Sequence, residues 1–273
     1  MKNNFALLCG TGKLAQAAME KYPQALCIAL TRAALIEHRE FRKNIIFISI
    51  GSLGKIIKKL KDKGIASIAV VGKLQKELLF RGLKFDLYTL NIFRKLKDHG
   101  DNTIMQKFVD ILAEQGIKTI GQKEIYKEYL AGSGVLIPSR KLNGLIPSMR
   151  YGFQVAKQIA ALDIGQSIIV YDKAVVAVEA GEGTDATIIR AGKYLKKDGV
   201  LIKVSKPGHT GIYDIPVVGM TTLQNAVNSK ISGIVVEAGN TILFPKNDIF
   251  SYLKKKRIAL VSVKDEEDFN SLR

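Results

Sequence analysis

The chain has 273 residues, enough for one large domain or two of about 130 residues each. Hydrophobic residues make up 47%, which excludes an intrinsically disordered chain, and with no Trp and 7% aromatics the core must be aliphatic. Lys and Arg number 42 against 25 Asp and Glu, and the resulting +17 points to nucleic acid, an anionic membrane surface or a phosphorylated substrate, or simply to a well-solvated lysine-rich surface.

Phe5–Cys9 reads as a strand, and Gly10-Thr-Gly-Lys13 turns from it into a helix ending near Tyr22. Further strands are expected over Ala25–Leu30, Asn44–Ile50, Ser67–Val71 and Lys118–Gly121. Helices are expected over Leu53–Lys63 and Asn102–Gln115, the first with Leu53, Ile56, Ile57 and Leu60 on one face. Strands alternating with crossover helices predict a parallel sheet covered on both faces. Cys9 and Cys27 lie in apolar runs away from any His, so neither a disulfide framework nor a zinc site is expected. His38, in a charged stretch, reads as exposed.

Glycine and proline punctuate residues 132–147, which read as a linker between an N-terminal domain, 1–131, and a C-terminal domain, 148–273. The second half has a different rhythm. A helix from about Met149 to Leu162 precedes strands over Ser167–Tyr171 and Ala174–Glu179, a hairpin about Asp172-Lys173. A helix from Thr184 to about Lys196, a strand over Val200–Val204 and a helix over Thr222–Ser229 follow. Gly233–Ala238 and Thr241–Phe244 suggest a second hairpin around Gly239-Asn240. A last helix, Lys246–Arg257, leads into a strand over Ile258–Val263. Hairpins mixed with helices predict a mixed sheet. The basic runs Lys55–Lys61 and Lys254–Arg257 both fall on helices. No clear internal repeat is present, although Val-Glu-Ala-Gly occurs at 178–181 and again at 236–239. No run approaches the roughly 20 apolar residues of a membrane span, and no signal peptide is evident, so a cytoplasmic chain is expected.

Gly10-Thr-Gly12-Lys13 sits where a helix N-terminus presents unpaired N–H groups, suited to phosphate contact or to a plain tight turn. Ala15 stands at the third glycine of a dinucleotide fingerprint, and no acidic residue ends the second strand at Leu30, which argues against NAD. Asp101 or Asn102 suits a helix N-cap, with a site role for Asp101 as the alternative. Glu179-Ala-Gly-Glu182-Gly-Thr184-Asp185 sets three carboxylates and a threonine between glycines at a strand end. Capping accounts for Thr184 or Asp185 but not for Glu179. Closely set carboxylates hold hard divalent cations. Lys203-Val-Ser-Lys206-Pro-Gly208 places two phosphate-compatible lysines at another strand end, and Asp214 caps nothing obvious before Ile215-Pro216. Carboxylates, lysines and glycines at adjacent strand ends suit phosphoryl transfer with a divalent ion.

Five segments in order, Asp163–Val170, Val178–Asp185, Lys203–Gly208, Asp214–Gly219 and Gly233–Gly239, together resemble the UDP-2,3-diacylglucosamine pyrophosphatase family, in the form distinct from the metallophosphoesterase type. Gly10–Leu14 and Leu53–Ile57 fit as well. The resemblance implies a Rossmann-like N-terminal domain and a mixed-sheet α/β C-terminal domain. It implies Mg2+-dependent hydrolysis of UDP-2,3-diacylglucosamine to UMP and 2,3-diacylglucosamine 1-phosphate (lipid X), a step of lipid A synthesis at the cytoplasmic face of the inner membrane. Water attacks the phosphorus nearer the uridine on that reading. The family's essential aspartate falls on Asp214, which is also the expected metal ligand. Asp185 and Lys206 join it as catalytic residues, and Gly10, Gly12, Lys13, Asp101, Glu179, Glu182, Thr184 and Lys203 are the expected substrate contacts. His209, Thr210 and Ile212 stand where the family usually has Gln, Asp and Arg. A non-catalytic nucleotide- or glycolipid-binding homologue is therefore the alternative. Nucleic acid is not an expected partner, since no aromatic-basic stacking surface or RNA-binding signature is present. The oligomeric state stays open, a homo-oligomer included.

Overall fold

The computed structural model describes residues 4–73, 85–95, 101–208, 211–212 and 214–272, with the backbone alone at 93, 95 and 101–103. It resolves into two units, Met1–Ile125 and Tyr126–Arg273.

In the N-terminal unit, β1 (Phe5–Cys9) is buried at every residue, which only a strand covered on both faces allows. It is central in an all-parallel sheet ordered β3-β2-β1-β4-β5, with β2 at Leu26–Ala29, β3 at Ile45–Phe47, β4 at Ser67–Val71 and β5 at Lys118–Thr119. The helices are α1 (Lys13–Lys21), α2 (Arg32–Glu37), α3 (Leu53–Asp62), α4 (Leu87–Lys95), α5 (Asp101–Glu114) and the short α6 (Gln122–Ile125). α3 buries Leu53, Ile56, Ile57 and Leu60 and leaves Lys55, Lys58 and Lys61 in solvent. Those four side chains join Ala6, Leu8, Ile28, Ile68 and Leu112 in the core, each aliphatic one contributing about 1.5–3 kcal/mol.

The strand order reverses between β1 and β4, the position where ligands enter open α/β sheets. Here the loop after β1 and the loop after β4 are bridged. The Thr11 N–H donates to Lys73 O at 3.0 Å and the Lys73 N–H donates to Thr11 O at 2.7 Å. A Cβ at Gly10 would lie 2.4 Å from Lys73 O, so glycine is required by the approach of backbone to backbone.

The C-terminal unit is a three-layer sandwich. Its sheet runs β6-β13-β11-β9-β7-β8, with β6 at Gly134–Ile137, β7 at Ser167–Tyr171, β8 at Ala174–Val178, β9 at Gly199–Lys203, β11 at Ile231–Glu237 and β13 at Ala259–Val263. β9, β11 and β13 are mutually parallel, and β7 runs against both β9 and β8. Alternate residues face opposite layers. Ile168, Val170, Val200 and Ile202 pack against α7 (Leu142–Ala161) through Met149, Phe153 and Ala156. Ile169, Leu201, Ile234 and Leu260 pack against α8 (Thr184–Gly192), α9 (Met220–Asn228) and α10 (Lys246–Lys256). Gly152 lets α7 sit on the sheet, since a Cβ there would lie 2.4 Å from Ile202.

The hairpin at Asp172-Lys173 forms as expected, both residues taking positive φ, 45° and 56°, as a primed turn requires. The second expected hairpin does not form. β11 is buried at six of its seven residues and is flanked by β9 and β13, so it has no edge left for a hairpin partner. β12 (Ile242–Leu243) instead pairs in parallel with β10 (Val217–Val218) in a separate two-stranded sheet. The stretch 132–147 holds β6, antiparallel to β13, and the first turns of α7, with Pro147 inside that helix. Its glycines and prolines mark turns around a short edge strand rather than a bare connection, and the units divide between Ile125 and Tyr126.

The Gly10→Ala variant is expected to destabilise the N-terminal unit by about 1–3 kcal/mol, read as a lower urea midpoint, because backbone rather than a flexible side chain blocks the new methyl.

Candidate functional site

β8, β9, β11 and β13 all point the same way, because β7 reverses twice between β9 and β8. One edge of the sheet therefore gathers the carboxyl ends of four strands. Glu179 follows β8, Lys203 closes β9, Glu237 closes β11, and Ser167 opens the antiparallel β7 beside them. Crevices outside strand carboxyl ends are where α/β proteins place their ligands.

Lys203 is 8% exposed, and its ammonium donates to Thr184 Oγ1 at 2.6 Å and to Ser167 Oγ at 3.1 Å. The one Thr184 hydroxyl hydrogen goes to Glu179 Oε1 at 2.8 Å. Thr184 therefore accepts in its 3.2 Å contact with Ser167, whose hydroxyl is the donor. Burial pushes the Lys203 ammonium below its ordinary pKa, and the charges of Glu179, Asp214 and Asp185 resist that shift. Glu179 Oε2 is buried without a hydrogen-bond partner among the described residues.

The loop between β8 and α8 is braced by its own charges. Glu182 accepts from Arg190 at 2.5 Å, from Thr187 at 3.2 Å and from the Ala180 N–H at 3.1 Å. The Arg190 guanidinium is the main cause holding the Glu182 carboxyl down at about 2. Asp185 accepts from Thr222 of α9 at 2.9 Å. Neither Thr184 nor Asp185 caps α8. The N-cap is Gly183, with φ 81° and no side-chain cap bond. Gly165 brings the start of this unit's site close, since a Cβ there would lie 2.0 Å from Glu179 O.

Asp214 is exposed and takes a left-handed backbone, φ 55°. Asp163, Lys230 and Arg257 take the same conformation after helices and Asp172 and Lys173 in a tight turn, whereas Asp198 and Asp214 take it in irregular loops. Backbone held in a sparsely populated region clusters at functional sites. Lys206 forms an ion pair with Asp163. The Lys206 side chain is 16% exposed and that of Asp163 63%, so a partly buried lysine meets a partner that stands largely in solvent. Ile212 is half-buried, while His209 and Thr210 lie outside the described residues.

The other expected contacts belong to the N-terminal unit. The Gly10 N–H donates to Val71 O at 2.8 Å, and Lys13 is exposed at the start of α1. The Gly12 N–H donates to Glu37 Oε1 at 3.0 Å, so a carboxylate of the chain itself already meets the glycine loop. His38, expected in solvent, is instead fully buried, with Nε2 2.8 Å from Gly10 O. Its charged neighbours in sequence hide the fact that it ends α2 underneath that loop. Asp101 opens α5, its side chain outside the described residues. Ser167, Ser205, Lys157 and Glu237, all at the sheet edge, were not singled out by the sequence. The second Val-Glu-Ala-Gly was the available signal for Glu237.

Among the described residues, no three His, Cys, Asp or Glu side chains are grouped to enclose a metal ion. Mg2+ bound to a phosphorylated substrate needs less, one or two carboxylates with phosphate oxygens and water completing six positions. The exposed carboxylate of Asp214 fits that mode.

Fold and site together define a two-domain α/β enzyme with its polar residues collected at one edge of a mixed sheet. The LpxI N-terminal domain family matches residues 4–129 and the LpxI C-terminal domain family matches residues 132–261. The UDP-2,3-diacylglucosamine pyrophosphatase LpxI of Caulobacter vibrioides is 27% identical over 237 residues, covering 81% of this chain and 82% of the relative. The chain belongs to the LpxI family.

Because Glu182 is ionised more readily in the fold than in the unfolded chain, the stability it supplies is full above pH 4.5 and disappears as pH falls through about 2. Acid unfolding of Glu182→Gln, followed by circular dichroism, is expected to show a shallower pH dependence across that window than the parent.

Proposed function

We propose that the chain hydrolyses the pyrophosphate of UDP-2,3-diacylglucosamine, releasing UMP and 2,3-diacylglucosamine 1-phosphate in lipid A synthesis. The family match supports the substrate. The observation that carries the chemistry is the buried Lys203 ammonium at a sheet edge, bonded to Thr184 and Ser167, with the charges of Glu179, Asp214 and Asp185 acting on it. Asp214 orients the attacking water and takes its proton. The water oxygen bonds to phosphorus, the bridging P–O bond breaks, and the leaving phosphate departs with the electron pair. Following the family resemblance, the phosphorus attacked is the one nearer the uridine. Lys206 exchanges its pair with Asp163 for the phosphate oxygens, offsetting their charge. Asp185, fixed by Thr222, and Glu182, fixed by Arg190, keep the loop that carries Glu179 and Thr184 in register. Asp214 would hold Mg2+ together with phosphate oxygens of the substrate, and the ion when bound would add positive charge at the phosphates.

The substrate is a membrane lipid, and the chain carries +17. No helix among the described residues is long and apolar enough to cross a membrane. The reading places the protein in the cytoplasm, held at the anionic inner-membrane surface by exposed lysines such as Lys55, Lys58 and Lys61 of α3 and Lys254, Lys255 and Lys256 of α10. Co-sedimentation with phosphatidylglycerol vesicles is expected at low salt and is expected to fall as salt rises. Absence of binding at low salt removes this part of the proposal.

Incubation with UDP-2,3-diacylglucosamine and Mg2+ is expected to yield UMP and the sugar phosphate by mass. In 18O-labelled water the label is expected in UMP, and a label in the sugar phosphate would move the attack to the other phosphorus. Asp214→Asn, which keeps a residue tolerant of the left-handed backbone, is expected to lower kcat by roughly 10²–10⁴-fold with the fold intact. An unchanged kcat would remove Asp214 from the mechanism. Substrate bound but never cleaved by the parent protein would favour the non-catalytic homologue.

A further inference from the structure

The second Val-Glu-Ala-Gly, at 236–239, takes no part in the mechanism above. Glu237 is nevertheless 6% exposed and closes β11 beside the site, one residue past Val236, which pairs with Lys203 across the sheet. Its Oε2 accepts from the Ser205 N–H at 2.9 Å, from Ser205 Oγ at 2.9 Å and from Lys157 Nζ at 3.1 Å. Its Oε1 accepts from Asn240 Nδ2 at 2.6 Å. Burial raises the pKa of this carboxyl, but the Ser205 N–H, Asn240 and Lys157 outweigh burial and hold it below the ordinary range. A buried carboxylate with four donors is an anchor, and what it anchors is a loop.

That loop begins where β9 ends. Ser205 lies two residues after Lys203 and one before Lys206, and the Pro207-Gly208 turn follows, with Gly208 at φ 70°. Beyond Ser205, the partly buried Lys206 pairs with Asp163, which is largely in solvent. Glu237 therefore supplies a buried, directional constraint on where the Lys206 segment leaves the sheet.

We propose that Glu237 is a positioning residue for the hydrolysis, acting through Ser205 to fix the Lys206 segment against the substrate phosphates. The proposal rests on the pyrophosphatase reading of the site. Its magnitude follows from geometry, since a displacement of about 1 Å at a reacting centre costs on the order of a hundredfold in rate. A buried ion pair that merely holds the fold together would behave differently, lowering activity whether or not Lys206 is present.

The test is a double-mutant cycle in the full chain, with kcat and KM measured on UDP-2,3-diacylglucosamine for the parent, Glu237→Gln, Glu237→Ala, Lys206→Ala and the Glu237→Ala/Lys206→Ala pair. Glu237→Ala is expected to lower kcat by roughly ten- to a hundredfold while KM moves less. In Glu237→Gln the carbonyl oxygen still accepts from Ser205 and the amide faces Asn240, which turns its own amide, so most of the rate is expected to return. On the Lys206→Ala background the Glu237→Ala change is expected to add little. Parental kcat in a folded Glu237→Ala protein, or an equal fold-loss with and without Lys206, overturns the proposal. Should Glu237→Ala fail to fold, Ser205→Ala decides, because it removes one anchor and keeps the carboxylate; an unchanged kcat there overturns the proposal too. Absence of turnover in the parent protein is a separate result, and it removes the pyrophosphatase reading itself.

Discussion

Taking a lysine ammonium out of water costs several kcal/mol unless hydrogen bonds and opposite charge replace the lost hydration. Lys203 sits at the end of a strand whose five residues are all buried, so it has no route to solvent along the sheet. The surroundings conform to that constraint. Ser167 and Thr184 present hydroxyls, Thr184 passes its own hydrogen to Glu179, and Asp185 and Asp214 lend charge from further out. Two segments bond the one nitrogen directly and a third, at Glu179, is tied to it through Thr184. The glycine-flanked loop before α8 has its shape because Thr184 must reach Lys203 while Glu179 must reach Thr184. Half-satisfied polar networks are costly, so the segments are held together or fail together.

Much of this architecture was readable beforehand where the physical signal is local. The apolar stripe of α3, the buried run of β1 and the Asp172-Lys173 turn depend on residues within a few positions of one another. The acidic loop is legible as glycine-flanked carboxylates at a strand end, although it is Gly183 that caps α8. What sequence did not disclose were pairings across distance. Ser167 meets Lys203 from 36 positions away, and Ser205 meets Glu237 from 32. A lone serine at a strand end carries no mark of such a partner. Gly239-Asn240 looks like a hairpin turn, whereas β11, buried at six of its seven residues, lies between two neighbours.

The glycine loop shows how one motif can serve two purposes. Its first glycine is needed because Lys73 O lies against it, and its second takes φ 99°, a conformation that side chains rarely adopt. Both are structural reasons for Gly-Thr-Gly that need no ligand. His38 adds a third tie from below, at Gly10 O. The strand-end crevice of this unit is thus firmly built, whereas in the C-terminal unit the polar groups converge on one edge with Glu179 Oε2 still lacking a described donor.

The left-handed backbone at position 214 also narrows the evolutionary routes open to the chain. Few L-residues accept that conformation cheaply; Asn does so as readily as Asp. Asp and Asn codons differ by a single base. One such step therefore leaves the backbone undisturbed and exchanges only a negative charge for an amide.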